Sequence, residues 1–354
     1  MGTDTSPHRR GNRNSHTKSV LRQRKGMAPL EHAVRLIYRV CCLAGSAAII
    51  DEAREVTGGS RFRTAIRRHD NAVLYDWLVE ALSYQGISDR VAFDYIERHG
   101  SLTWHDLEAD LAKGVSCPKL QSYWSFYDCR YEKGSGTCAE PDHITQCPLP
   151  LYNLRNGRLN QTGYALYLFI RDLTDGDLIG WIDRQLDAVS DEAPDRLGLA
   201  REALIGPLRN IYGVSDKVLA MTLSCILLGA PSERQAWIEV GGSMIAIDTL
   251  VHNFMHRTGI LHRFNASHAY GEQCYQPGCC ADIVREVAAR IDARQFNQQF
   301  PRTFPRFVQH AIWRYCAQQG LAVCNGNRID DRQSCRNIYC QIYSICDRIS
   351  LYKQ

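Results

Sequence analysis

The chain has 354 residues, 45% hydrophobic and 23% charged, enough to bury a large core in one elaborated domain or two. Its 12 prolines and 26 glycines exclude collagenous, low-complexity and wholly disordered classes. The net charge of +4 is uneven: residues 1–27 carry +6, from Arg9, Arg10, Arg13, Lys18, Arg22, Arg24 and Lys25 against Asp4, and the remainder sums to −2.

In chain order, residues 1–27 read as a basic disordered arm, able to hold nucleic acid loosely by displacing counterions or to serve as a solvated leader. No apolar h-region marks a secretory signal, and the best apolar run, Val40–Ile50, falls short of the ~18 residues a membrane helix needs. The expectation is an intracellular protein of the cytoplasm, nucleoid or nucleus, neither secreted nor membrane-bound.

From Leu30 the pattern turns helical. Val34, Ile37, Val40 and Leu43 form one stripe, Val73, Leu74, Trp77, Leu78, Ala81 and Leu82 a second, and Val91, Ala92, Tyr95 and Ile96 a third. Residues 103–113 and 118–128 read as two more short helices. Periodicity vanishes over 129–160, where Gly, Pro and Cys accumulate. Helical patterns resume over 162–173, 177–189, 199–210, 216–228, 245–258, 282–293 and 303–319. Alternating strand-type stretches are nearly absent, so the fold class is all-α.

Fifteen cysteines without a signal peptide point to metal rather than disulfides. They cluster as Cys117, Cys129, Cys138 and Cys147; Cys274, Cys279 and Cys280; and Cys324, Cys335, Cys340 and Cys346. The last four suit an iron–sulfur cluster or, alternatively, tetrahedral zinc. The first four are a possible second metal site, with Cys279 or Cys280 able to replace one ligand. His252 and His256 share a helix face, where a metal pair, phosphate contact or core packing are all open.

Between Leu199 and Ile260 a helix ending near Asn210 meets Ile211-Tyr212-Gly213-Val214-Ser215-Asp216-Lys217, and a new helix follows. Such a turn presents consecutive backbone N–H groups that, with the helix N-terminus, can cradle a phosphate. Further on, Asp248 in Ile247-Asp248-Thr249 stands where another helix begins and can cap it. These residues resemble the helix-hairpin-helix DNA glycosylase superfamily, and endonuclease III-like enzymes in particular, whose hairpin reads Gly-Val-Gly-x-Lys and is followed by Val-Asp-Thr. Leu82-Ser83-Tyr84-Gln85 resembles the family's Leu-Ser-x-Gln segment, and Ala311 to Cys346 its four-cysteine cluster loop. The chain departs from the pattern at Ser215, where the family has a second glycine, in the longer interval from Lys217 to Asp248, and in the wider cysteine spacing C-x10-C-x4-C-x5-C.

The resemblance implies a helix-hairpin-helix glycosylase fold with a Cys-rich insertion. It divides the chain into the arm (1–27), a helical glycosylase subdomain (28–128), a Cys-containing insertion with additional helices (129–198), the hairpin and catalytic Asp region (199–260), and C-terminal helices with the cluster loop (261–354). It implies Lys217 as nucleophile and Asp248 as the supporting acid. Gln85 would fill the gap left by an extruded nucleotide, with Gly213, Val214 and Ser215 on a DNA phosphate. Cys324, Cys335, Cys340 and Cys346 would hold a 4Fe–4S cluster. The partner would be double-stranded DNA with a damaged or modified base, bound by a monomer. Two alternatives stand beside this bifunctional glycosylase: a monofunctional enzyme, and a non-catalytic, metal-stabilised DNA-binding protein.

Overall fold

A computed structural model of the chain describes residues 27–83, 89–152, 157–211 and 213–352. The basic arm, but for Met27, and Gln85 lie outside the described residues. Among those described the architecture is all-helical: there is no β-strand, only an isolated antiparallel bridge between Glu132 and Thr137. Among the described residues no single helix is long and apolar enough to cross a membrane.

The chain forms two compact units, each assembled from separated stretches. One comprises residues 46–248 and 292–310; the other comprises residues up to 45, 249–291 and 311–354.

The first unit is organised around the helix Gly157–Leu173, in which every residue from Leu159 to Ile170 is buried. A helix that is apolar all round belongs in a core, and Leu166, Leu168, Phe169 and Ile170 supply that character. Its polar residues are spent on neighbouring loops. Asn160 Nδ2 donates to the carbonyls of Leu149 (2.7 Å) and Tyr152 (2.9 Å), and Gln161 Nε2 donates to that of Cys129 (3.4 Å). Tyr75 Oη, from the helix Asn71–Ser83, donates to the Gly163 carbonyl at 3.0 Å. The irregular stretch around Cys129 and Cys147 is thereby tied to the central helix.

Several elements differ from the periodicity. The expected helix over 118–128 is a 3-10 turn, Pro118–Leu120, followed by the short helix Tyr123–Phe126. The expected helix over 245–258 begins only at Thr249, because Met244 to Ile247 run extended and wholly buried. The helix Gln235–Ser243 was unmarked, since Gly241 and Gly242 are poor helix formers. Packing explains both glycines. The backbone of Gly241 lies against the helix Asp216–Leu228, where Ser224 Oγ donates to the Gly241 carbonyl at 2.9 Å. A Cβ at Gly241 would stand 2.7 Å from Leu227 Cβ and 3.2 Å from the Leu228 amide nitrogen. Gly241→Ala should therefore cost about 1–3 kcal/mol through overpacking. The denaturant midpoint should fall with an unchanged slope; an unaltered midpoint would show that the two helices separate without penalty.

The second unit packs the helix Pro29–Ala44 with Thr249–Arg257, Ile260–Arg263, Cys280–Ala288 and the second half of Pro305–Cys316. The C-terminal loop is strapped onto the end of Thr249–Arg257. Asp347 N donates to the Thr258 carbonyl and Ile349 N to that of Arg257, while Arg263 makes a two-pronged ion pair with Asp347 at 2.7 and 2.9 Å.

Candidate active site and metal centres

The hairpin expected near Lys217 is present as helix, turn and helix. Arg196–Leu208 leads into a turn in which Gly213 takes φ +79°, a left-handed conformation that glycine adopts without strain, and Asp216–Leu228 follows. Ser215 occupies the N-cap position, but its side chain makes no capping hydrogen bond. The amides of Gly213 and Ser215 have no acceptor among the described residues. Donors of this kind beside a helix N-terminus suit an anion. A cation beside the turn is already engaged: Arg209 bridges Asp216 (2.8 Å) and Glu202 (2.5 Å), and these bonds push its pKa further above the usual arginine range.

Lys217 lies half-buried in the first turn of Asp216–Leu228. Asp248, also half-buried, ends the extended run Met244–Ile247 and immediately precedes Thr249–Arg257. Two cavities flank the hairpin helices. One, of about 430 Å³, is walled by Gly213, Val214 and Ser215 with Tyr123, Phe126, Tyr127, Arg130 and Arg209. The other, of about 340 Å³, is walled by Val56, Trp77, Glu80, Ala81, Met221, Thr222 and Cys225. Neither wall includes Lys217 or Asp248.

The four C-terminal cysteines converge. Cys324, Cys335 and Cys346 are buried and Cys340 is partly so, and the charges of Cys340 and Cys346 are each felt among the other thiols. The surroundings are polar: Arg257 Nη1 donates to Cys324 Sγ at 3.7 Å, and Tyr315 Oη lies 3.1 Å from Cys340 Sγ. The hydrogen bond from Cys316, aided by Arg257, outweighs burial and brings the Cys324 thiol down to about 7. Burial pushes Cys346 up to about 12. Cys117, Cys129, Cys138 and Cys147 also come together, around a small cavity shared with His143 and Glu140.

Among the described residues one group of side chains has all its potential ligand atoms within 4.8 Å of one another: His252, His268, Cys274 and Cys280. The imidazole grouped with His252 is that of His268, not the expected His256. Cys280 stands here rather than completing the Cys117 group, and Cys279 is outside the set. The hydrogen bond with Cys280 holds Cys274 well below the ordinary thiol range, and the same bond together with burial pushes Cys280 above it. The only sequence signal is the spacing H-x15-H-x5-C-x5-C, which contains no short paired motif.

The geometry thus defines an all-helical protein with a helical hairpin and a His₂Cys₂ group able to bind a metal ion. Comparisons with protein-family profiles, curated proteins and solved structures returned no match.

Proposed function

We propose that the protein is a base-excision DNA glycosylase with lyase activity, acting on a damaged or modified base flipped out of duplex DNA. The observation that carries this reading is the hairpin: a turn without a side-chain cap in which the Gly213 and Ser215 amides have no acceptor among the described residues, Lys217 in the following first helical turn, and Asp248 at the head of a later helix. The turn would hold a phosphate beside the lesion. Gln85 would occupy the vacated stack. The 340 Å³ cavity is of a size to take a small ligand, and Trp77 offers it an aromatic wall. Lys217, Met221 and Cys225 recur every four residues along one helix, so the cavity wall continues the stripe that starts at Lys217.

The base leaves with the glycosidic electron pair, and the Asp248 carboxylate stabilises the cation that develops on the sugar. The Lys217 nitrogen, giving up a proton, bonds to C1′; the C1′–O4′ bond then breaks, O4′ takes up a proton, and the opened sugar is held as a Schiff base that acidifies the C2′ proton. Loss of that proton expels the 3′ phosphate and cuts the strand. Cys324, Cys335, Cys340 and Cys346 would hold a 4Fe–4S cluster, in which each thiolate binds a different iron and the sulfurs stand further apart than around one ion.

A monofunctional glycosylase is the second reading, favoured by the absence of Lys217 from both cavity walls. Incubation with duplexes each carrying one lesion, in the presence of borohydride, separates the cases. A trapped adduct marks the bifunctional enzyme, released base without an adduct the monofunctional one, and binding alone a non-catalytic DNA-binding protein. Removing residues 1–27 should also flatten the salt dependence of DNA affinity, because seven cations are lost. An unchanged slope in a salt titration would reduce the arm to a leader.

A further inference from the structure

We infer that His252, His268, Cys274 and Cys280 form a closed, mononuclear zinc site, distinct from the four-cysteine loop and independent of the glycosylase reading. Tetrahedral zinc with sulfur at ~2.3 Å and nitrogen at ~2.0–2.1 Å places neighbouring sulfur and nitrogen ligands about 3.5 Å apart. The structure has Cys274 Sγ 3.4 Å and Cys280 Sγ 3.5 Å from His252 Nδ1, and Cys280 Sγ 3.5 Å from His268 Nε2. Three independent edges of the ligand tetrahedron therefore have the length that a single ion requires.

The surroundings prepare the ligands. His268 Nδ1 lies 2.6 Å from the Ala266 carbonyl, so it carries the proton and leaves Nε2 as a lone pair facing the sulfurs. Metal-bound histidines are oriented by this kind of outer hydrogen bond. Cys280 opens the nine-residue helix Cys280–Ala288, where the helix dipole favours a thiolate. Cys274 and Cys280 are wholly buried and His252 nearly so. Two thiolates and two neutral imidazoles carry a charge of −2, which one divalent ion cancels.

The same distances decide against the other His₂Cys₂ centre in common use. In a Rieske cluster the thiolates bind one iron and the imidazoles the other, so no sulfur shares an iron with a ring nitrogen. Here His252 Nδ1 is within 3.5 Å of both sulfurs. Four protein ligands leave no open position, which marks a structural ion rather than a catalytic one. It would staple the helix Thr249–Arg257 to Cys280–Ala288 across the loop between them.

The test is elemental analysis of the full-length protein, purified without added metal, beside the Cys274→Ser/Cys280→Ser variant. About one zinc per chain should be retained by the wild type and lost by the variant, with iron unchanged. Should the variant fail to fold, the wild type exchanged into cobalt decides instead. Tetrahedral cobalt with two thiolates gives intense visible ligand-field bands and a near-ultraviolet sulfur-to-metal band. Acidification should release the ion as the imidazoles and thiolates take up protons. A wild-type protein that binds neither zinc nor cobalt tetrahedrally, a Cys274–Cys280 disulfide in the freshly purified chain, or a folded variant with the same zinc content as the wild type would overturn the assignment.

Discussion

Asp248→Asn is expected to slow base release roughly a hundred-fold or more on the true substrate, with DNA binding retained or tightened. The substitution keeps the size of the side chain and some ability to cap Thr249–Arg257, while removing the charge that would face the developing sugar cation. A purely capping Asp248 predicts a different pattern: about 1 kcal/mol of lost stability and little change in chemistry. Lys217→Gln provides the companion measurement. A Schiff base needs a primary amine, so the variant should give no borohydride-trapped adduct, yet should still fold, because Lys217 is only half-buried. Single-turnover base release by Asp248→Asn at the wild-type rate would sink the glycosylase mechanism and leave the DNA-binding reading. Retained base release with no adduct from either wild type or Lys217→Gln would instead identify a monofunctional enzyme.

Cys340→Ser should have an equally large effect on metal content. The anaerobically purified wild type should be brown and contain about four iron and four sulfide per chain, and the variant should lose both. Cys340 is the most exposed of its four cysteines and touches Tyr315 Oη, so serine can be accommodated sterically. Loss of iron can then be read apart from simple misfolding by following the helical circular dichroism. Zinc in excess of the His₂Cys₂ ion, with no iron, would replace the iron–sulfur assignment by a second zinc site. Disruption of this loop should also weaken the contacts that Asp347 and Ile349 make with the end of Thr249–Arg257.

The all-helical class was legible in the sequence because apolar periodicity is a local property. The span 216–228 was read to the residue, since an apolar run there follows a turn with Gly213. Cys324, Cys335, Cys340 and Cys346 were grouped from their closeness in sequence, which lets a short loop carry all four. Tertiary structure alone decided the rest. The helix Gly157–Leu173 was legible from residue 162 onward, but its start inside a stretch of lost periodicity and its burial from Leu159 to Ile170 at the centre of its unit were not, because burial on all sides depends on distant neighbours. Gly241 and Gly242 argue against a helix by propensity, yet close packing against Leu227 and Phe304 requires them. Most of all, the four residues of the His₂Cys₂ group lie on a helix, a loop, a 3-10 turn and a second helix. No local pattern selects His268 over His256, or Cys280 over Cys279; only the folded positions of their ring nitrogens and sulfurs make that choice.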